Sequence, residues 1–361
     1  MRPFRAPEPA AGVVHGDAPT LSVVIPAYNA AGTIGEAIES VLAQTLAPIE
    51  IVVCDDGSTD DFDAAVRPYL DRITLIRKEN GGEGSSKATA SSAAAGDFVV
   101  VLDADDVFLP ERLEALTELA RARPDLDVLT TDAFFEVEGR VIRRCYTADW
   151  RFEVDNQRQT ILERNFVFGA AAVRRSRLRQ VGGFDESRRY AADWDLWIRM
   201  ILTGSKVGLV EEPLYRYRIA QTALSSQRLP LFRGYVALLE SAARRPDLGP
   251  GERRTVANAI AARRREVLRL ELYEALDFAP REIRSRAAAI VRDRQLPLRT
   301  RAKALGALFA PRAAARAHAR RRGSTWVGAG GVVVGAAEAE GRNEVHEPPG
   351  PLSHIRRRLR S

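Results

Sequence analysis

Histidine is nearly missing from this chain. Only His15, His318, His346 and His354 occur among 361 residues, and none lies between residues 16 and 317. No histidine can therefore serve as base or metal ligand across the centre, where acid–base chemistry falls mainly to carboxylates. Cysteine is scarcer still: Cys54 and Cys145 are far apart and form neither a CxxC pair nor a zinc spacing. That predicts reduced thiols and a cytoplasmic setting. Cys54 stands inside an apolar strand pattern and reads as a small core residue. Long apolar runs are absent too. The best candidate, WVGAGGVVVGAA, is too short and too glycine-rich to cross a bilayer, which takes about 18 apolar residues. The first 20 residues are rich in Pro and Ala, lack the apolar core of a signal peptide, and are expected to be a disordered tail.

What is present is ordinary for a globular protein: 45% hydrophobic and 28% charged residues. The length allows one large domain plus a smaller one. The net charge of +6 is uneven, with arginines concentrated after about residue 250 and the acidic motifs before residue 200.

Strand and helix signals alternate through the first half. LSVVI (21–25), IEIVVC (49–54), ITLI (73–76) and FVVVL (98–102) read as strands. Between and after them come helical patterns. The first carries Ile34, Ile38, Val41 and Leu42 on one face, with Thr33 and Glu36 as a capping box. The second runs through Val66 to Leu70, a small-residue helix covers Ser85 to Ala95, and the last, with Leu113, Leu116 and Leu119, ends before Pro124. Such alternation builds an α/β fold, a mostly parallel sheet covered by helices on both faces. Mixed strands follow in DVLTTDAFFEVEGRVI, and DWDLWIRMILTG (193–204) reads as a helix closed by Gly204. From about residue 230 the pattern is helical. The expected division is a tail over 1–20, a main domain over 21–226, a helical Arg-rich region over 227–322, and a disordered tail over 323–361.

In such sheets ligands bind beyond the carboxyl ends of the strands, where PAYN, DDGSTD and DADD all fall. Strand one ends at Pro26, and Tyr28 then presents a ring suited to a base or sugar; an ordinary packed tyrosine is the plainer reading of that segment alone. Asp55 and Asp56 sit at the tip of strand two, with Gly57 permitting a tight turn. Ser58, Thr59 and Asp60 are assigned to a helix N-cap, and Asp56 to hydrogen bonding with a nucleoside. In ENGGEGSSK, glycines ahead of a helix could let backbone N–H groups approach a phosphate, with Lys87 adding charge, although such loops are often only turns. FVVVLDADD sets Asp103, Asp105 and Asp106 in one turn. In an extended segment Asp103 and Asp105 point to the same side, where a hard cation, Mg2+ or Mn2+, would relieve their repulsion and bridge to substrate phosphates. A ring, carboxylates, a phosphate loop and a metal on one edge amount to a nucleotide-diphosphate site.

PAYN, DDGSTD, GG with SSK, LDADD and GGFDE…DWDLWIR occur in the order seen in inverting family 2 glycosyltransferases of the GT-A fold, which the chain resembles from about Leu21 to Ser226. The resemblance implies a nucleotide-sugar donor, usually UDP-linked, and a divalent cation. It also implies that Pro26, Tyr28 and Asp56 contact the nucleotide, that Asp103 lies near ribose and metal, that Asp105 ligates the metal, and that Asp193 is the catalytic base. The chain departs from the family pattern at Lys87–Ala88, where Arg then Asn is usual, at Ala192–Asp193, where Glu-Asp is frequent, and near Ala220, where many members carry a metal-binding histidine.

The implied reaction is sugar transfer to a hydroxyl acceptor in polysaccharide, glycolipid or cell-envelope glycan synthesis. Two alternatives differ in class. A sugar-1-phosphate nucleotidyltransferase should carry a basic, glycine-rich loop after strand one, and PAYNAAGT has no basic residue. A non-catalytic nucleotide-sugar-binding protein is favoured only by the missing histidine. The Arg-rich helices read as solvated faces or as a peripheral contact with anionic lipid at the inner face of a membrane. No nucleic-acid partner is expected, because aromatics do not interleave with the arginines.

Overall fold

The structure is a computed structural model that describes residues 18–148, 150–219, 227–319, 325–328 and 332–335. Its N-terminal half is built from β1 (Leu21–Ala27), α1 (Ile34–Leu42), β2 (Glu50–Asp55), α2 (Phe62–Val66), β3 (Thr74–Arg77), α3 (Glu83–Ala93) and β4 (Phe98–Val101). Every strand pair within this half is parallel: β2 with β3, β1 with β2, and β1 with β4. The second half adds β5 (Val107–Phe108), α4 (Arg112–Ala122), β6 (Val128–Val137), β7 (Arg140–Arg144), α5 (Gln157–Glu163), β8 (Ala172–Arg174), α6 (Arg175–Gln180), α7 (Ala192–Leu202) and β9 (Val207–Arg218). The nine strands form one sheet in the order β3-β2-β1-β4-β8-β6-β9-β5, with β7 on β6. β8 runs antiparallel to both β4 and β6, whereas β6 and β9 are parallel.

The apolar runs are continuous because both faces of the sheet are covered. Val23 and Ile25 of β1, Val53 of β2 and Val100 of β4 face a core shared with α1, α2 and α4. Their neighbours Val24, Val52, Cys54, Val99 and Val101 face a second core with α3, α5 and α7. Alternation along a strand sends successive side chains to opposite faces, so a doubly covered strand must be apolar at every position. Cys54 is the expected small core residue, fully buried, with its thiol pushed up mainly by burial.

Three local expectations are corrected. β1 does not end at Pro26 but continues to Ala27, with Pro26 paired to Cys54. The β4 partnership stops at Val24, and Ala27 accepts the Asp56 N–H on the β2 side. By alternation the proline nitrogen faces the open β4 side, so the missing donor costs nothing there. Thr33 makes no capping bond; its hydroxyl reaches Ala30 O at 3.4 Å, and Glu36 pairs instead with Arg218. Leu42, assigned to the inward face of α1, is exposed, while Ile34, Ile38 and Val41 are buried.

The core extends past residue 226. Leu238, Leu239 and Ala242 of α8 (Arg228–Ala243), with Val256 and Ala259 of α9 (Pro250–Phe278), belong to the second core. The latter half of α9 then forms a separate small core with α10 (Ile283–Arg292), α11 (Leu298–Phe309) and α12 (Pro311–Ala319). Within the stretch expected to be a tail, Thr325–Gly328 and Val332–Gly335 pair as β10 and β11; the rest of 320–361, like residues 1–17, lies outside the described residues.

Candidate active site

The tips of β1, β2 and β4 and the start of α3 lie on one edge, as strand polarity requires. The PAYN and DDGSTD loops are stitched together there. Asn29 N–H donates to Ser58 Oγ at 2.9 Å, Ala31 N–H to Asp60 Oδ2 at 2.8 Å, and Thr59 N–H to Asn29 Oδ1 at 2.8 Å. Ser58, Thr59 and Asp60 therefore brace the neighbouring loop rather than cap α2, which begins at Phe62 with no side-chain capping bond. Cross-loop donors were in reach and the cap position falls one residue later, at Asp61. Tyr28 stands clear at 51% exposed.

Asp56 is buried and fully engaged. Its Oδ1 accepts from Lys78 Nζ at 2.7 Å and Gly81 N–H at 3.0 Å, and its Oδ2 from Gly82 N–H at 2.8 Å. The glycine amides expected to face a phosphate are thus taken up by Asp56, and Gly84 N–H donates to Arg188 O at 2.9 Å. A Cβ at Gly84 would collide with the backbone oxygens of Asp185 and Arg188. Gly84 is there because the GGFDE turn lies directly on the start of α3. Asp56, assigned to the nucleoside, acts here as the anchor of the 78–82 loop.

Lys87 is the centre of the site. It is buried, 2.7 Å from Glu83 Oε1 and 3.4 Å from Asp103 Oδ1. Burial opposes its charge, but Asp103, Glu83 and Asp193 outweigh it and hold its pKa above the ordinary lysine value. Glu83 is pushed up by burial, with Lys87 pulling it back. Asp193, partly exposed, is likewise raised by burial; Lys87 lowers it and Asp103 adds to the rise. So Asp103 at the end of β4, Glu83 and Lys87 on α3, and Asp193 on α7 share one field. Asp193 is not the N-cap of α7; Ala191 holds that place in a left-handed conformation, φ 60°. Asp193 instead accepts from Trp194 N–H at 2.7 Å and lies 3.5 Å from Asn165 Nδ2.

The other acids near Asp193 are committed elsewhere. Asp195 is buried and pairs with Arg199 at 2.8 Å and Arg188 at 3.4 Å. For Asp185, burial works toward a higher pKa, but Ser187 and Arg188 hold it below the usual range. Glu186 is exposed.

The DADD segment is a turn, not an extended strand: Asp106 N–H closes onto Asp103 O at 3.0 Å. Asp103 and Asp105 still repel each other. Burial first, then Asp103, raises Asp105 to about 6, with Arg218 and Lys87 partly offsetting. Asp106 does a different job from its neighbours. It is buried, accepting from Tyr215 Oη at 2.7 Å and Arg218 N–H at 2.8 Å, which ties the turn to β9. Beneath it Arg112 is fully buried, its guanidinium 4.8 Å and 4.9 Å from the ring centres of Phe108 and Tyr215 and bonded to Thr131 Oγ1 and Ala170 O.

Sequence reasoning gave no role to Glu83, Asp106, Arg112 or Tyr215. For Glu83 the signal was available, since it stands four residues before Lys87 on one helix. The other three are held by side-chain hydrogen bonds that span 19 residues or more, which no local pattern encodes.

Residues 22–182 match the family described as Glycosyl transferase family 2. An uncharacterised glycosyltransferase of Rickettsia typhi is 30% identical over 224 residues, covering 61% of this chain and 70% of that protein. The chain belongs to glycosyltransferase family 2. Chondroitin synthase of Escherichia coli is 31% identical over 194 residues, but the match spans 52% of this transferase and only 27% of the synthase. The fold is GT-A-like. S. aureus TarS (1–349) in complex with UDP-GlcNAc superposes with a TM-score of 0.58 at 21% identity, covering 83% of this chain and 89% of that one.

Among the described residues, the carboxylates whose chemistry would suit a divalent cation are Asp103 and Asp105. They are a repelling pair, with Asp105 raised to about 6 by burial and by Asp103, and magnesium-type ions are commonly held by one or two carboxylates plus substrate phosphates. Among the described residues no group of three or more His, Cys, Asp or Glu could hold a metal unaided. Ala220, where the family often has histidine, lies outside the described residues. The site also draws on α8: Tyr235 packs on Trp194 at 5.0 Å, and its phenol is raised by burial and by Asp193.

Proposed function

We propose that this glycosyltransferase moves a sugar from a UDP-linked donor to a hydroxyl acceptor with inversion. The observation that carries the reading is the buried Lys87, whose charge is shared by Asp103 on the donor side and Asp193 on the acceptor side. In this reading the acceptor oxygen attacks the anomeric carbon. Its proton passes to Asp193, and the electron pair of the breaking sugar–oxygen bond leaves with the nucleoside diphosphate. Burial that raises Asp193 strengthens it as a base. Asp103 and Asp105 would hold Mg2+ or Mn2+, which when bound stabilises charge on the leaving diphosphate.

Tyr28, exposed just beyond the end of β1, would stack on the nucleoside, with Pro26 near the end of the strand beside it. Asp56 contributes by holding the 78–82 loop. The likeness to chondroitin synthase supports a glycan acceptor, in polysaccharide or cell-envelope synthesis, as the first class to test.

The experiment is to incubate the full chain with UDP- and GDP-sugars and Mn2+ and to follow free nucleoside diphosphate and the anomeric configuration of the product. Release of UDP with inversion supports the reading. Formation of UTP and sugar 1-phosphate when pyrophosphate is added to the UDP-sugar would instead indicate nucleotidyl transfer.

A further inference from the structure

α11 is built the wrong way round for a helix that merely completes a core. Its two buried residues are Ala304 and Ala307, while Leu298, Leu305 and Phe309 are 78%, 43% and 76% exposed. With exposed Ala302 these fall at i, i+4, i+7 and i+11, which is one stripe along the helix. Single exposed apolar residues are normal, but a stripe of large ones marks a contact surface. The charge around it is one-sided. From residue 281 to 319 ten basic residues face only two acids, Glu282 and Asp293. Arg299 and Lys303 on α11, and Arg312 and Arg316 on α12, are all exposed.

We infer that the Leu298–Phe309 stripe rests on an anionic lipid surface, with the flanking basic side chains meeting headgroups. Large apolar side chains beside a uniformly basic rim suit the headgroup–acyl boundary, where both terms add. An acidic protein groove would match the charge without needing so many cations spread over two helices. No described helix is long and apolar enough to cross a membrane, so this is contact along the surface. The inference does not depend on which sugar is transferred.

The test is co-sedimentation of the full chain with vesicles of phosphatidylcholine alone or in equimolar mixture with phosphatidylglycerol. Binding is expected only to the mixed vesicles and should weaken as salt rises. Leu298→Gln/Leu305→Gln/Phe309→Gln keeps the charge and should cut that binding by roughly tenfold or more. The same variant should keep its melting temperature and donor hydrolysis, because the three side chains are exposed. Arg299→Gln/Lys303→Gln should weaken binding and flatten its salt dependence. Failure to bind mixed vesicles, or binding unchanged by the triple substitution, would overturn the inference. So would a dimer of the parent that the triple variant dissociates without any vesicle binding, since the stripe would then cover a second copy.

Discussion

Lys87 Nζ lies 3.4 Å from Asp103 Oδ1, so a helix cation meets the carboxylate at the end of β4 inside the sheet's ligand edge. The same amine holds Glu83 at 2.7 Å. One lysine thereby keeps together carboxylates that would otherwise repel.

Lys87→Met should destabilise the protein by about 1–3 kcal/mol, because it leaves Glu83 and Asp103 near each other without a cation. Lys87→Arg should restore much of the loss. Urea unfolding of the three proteins measures this, and unchanged midpoints for Lys87→Met would show the pair to be energetically idle.

For Asp193→Asn the expectation is intact stability and UDP-sugar binding, since the amide oxygen can still accept from Trp194 N–H. Transfer should fall by roughly 10²-fold or more, the usual contribution of a general base. Turnover close to the parent rate would move the base elsewhere.

Asp105 provides a pH signature. Its folded pKa, about 6, lies above its unfolded value, so the folded state binds the proton more tightly. Without metal, stability should therefore fall as pH rises from about 4 through 6, and Asp105→Asn should remove that step. Divalent cations need the ionised form, so Mn2+-dependent donor binding should weaken as pH drops below about 6. Parallel thermal melts at several pH values, with and without Mn2+, check both halves.

Asp56→Ala should release the loop it anchors. Amide exchange at Gly81 and Gly82 should accelerate, and UDP affinity should fall with it, because two amides and Lys78 lose their acceptor. Faster exchange with unchanged UDP affinity would separate the loop from the nucleotide.

Two glycines make a matched pair. Gly84→Ala should cost about 1–3 kcal/mol by forcing the GGFDE turn off α3, whereas Gly306→Ala in α11, with open space around it, should gain about 0.5–1 kcal/mol. Equal effects at both sites would mean the close approach at Gly84 carries no weight.

Taken by itself, the sequence determined the strands, the helices and the edge of the sheet that carries the motifs. Apolar runs and helical periodicity are local signals, and strand polarity then places PAYN, DDGSTD and DADD on one side. Tertiary structure decided which polar groups were spent on the fold. Asp55, Asp56, Asp103, Asp105 and Asp106 look alike in sequence, yet Asp56 anchors a glycine loop, Asp106 bonds Tyr215 across 109 residues, and Asp103 meets Lys87. A carboxylate's role depends on which donors lie within about 3 Å and how much water reaches it. Those donors arrive from distant segments, as Arg112 arrives beneath Tyr215 and α8 beside Asp193. Which face of α11 stayed in solvent was settled the same way, by where α10 and α12 packed against Ala304 and Ala307.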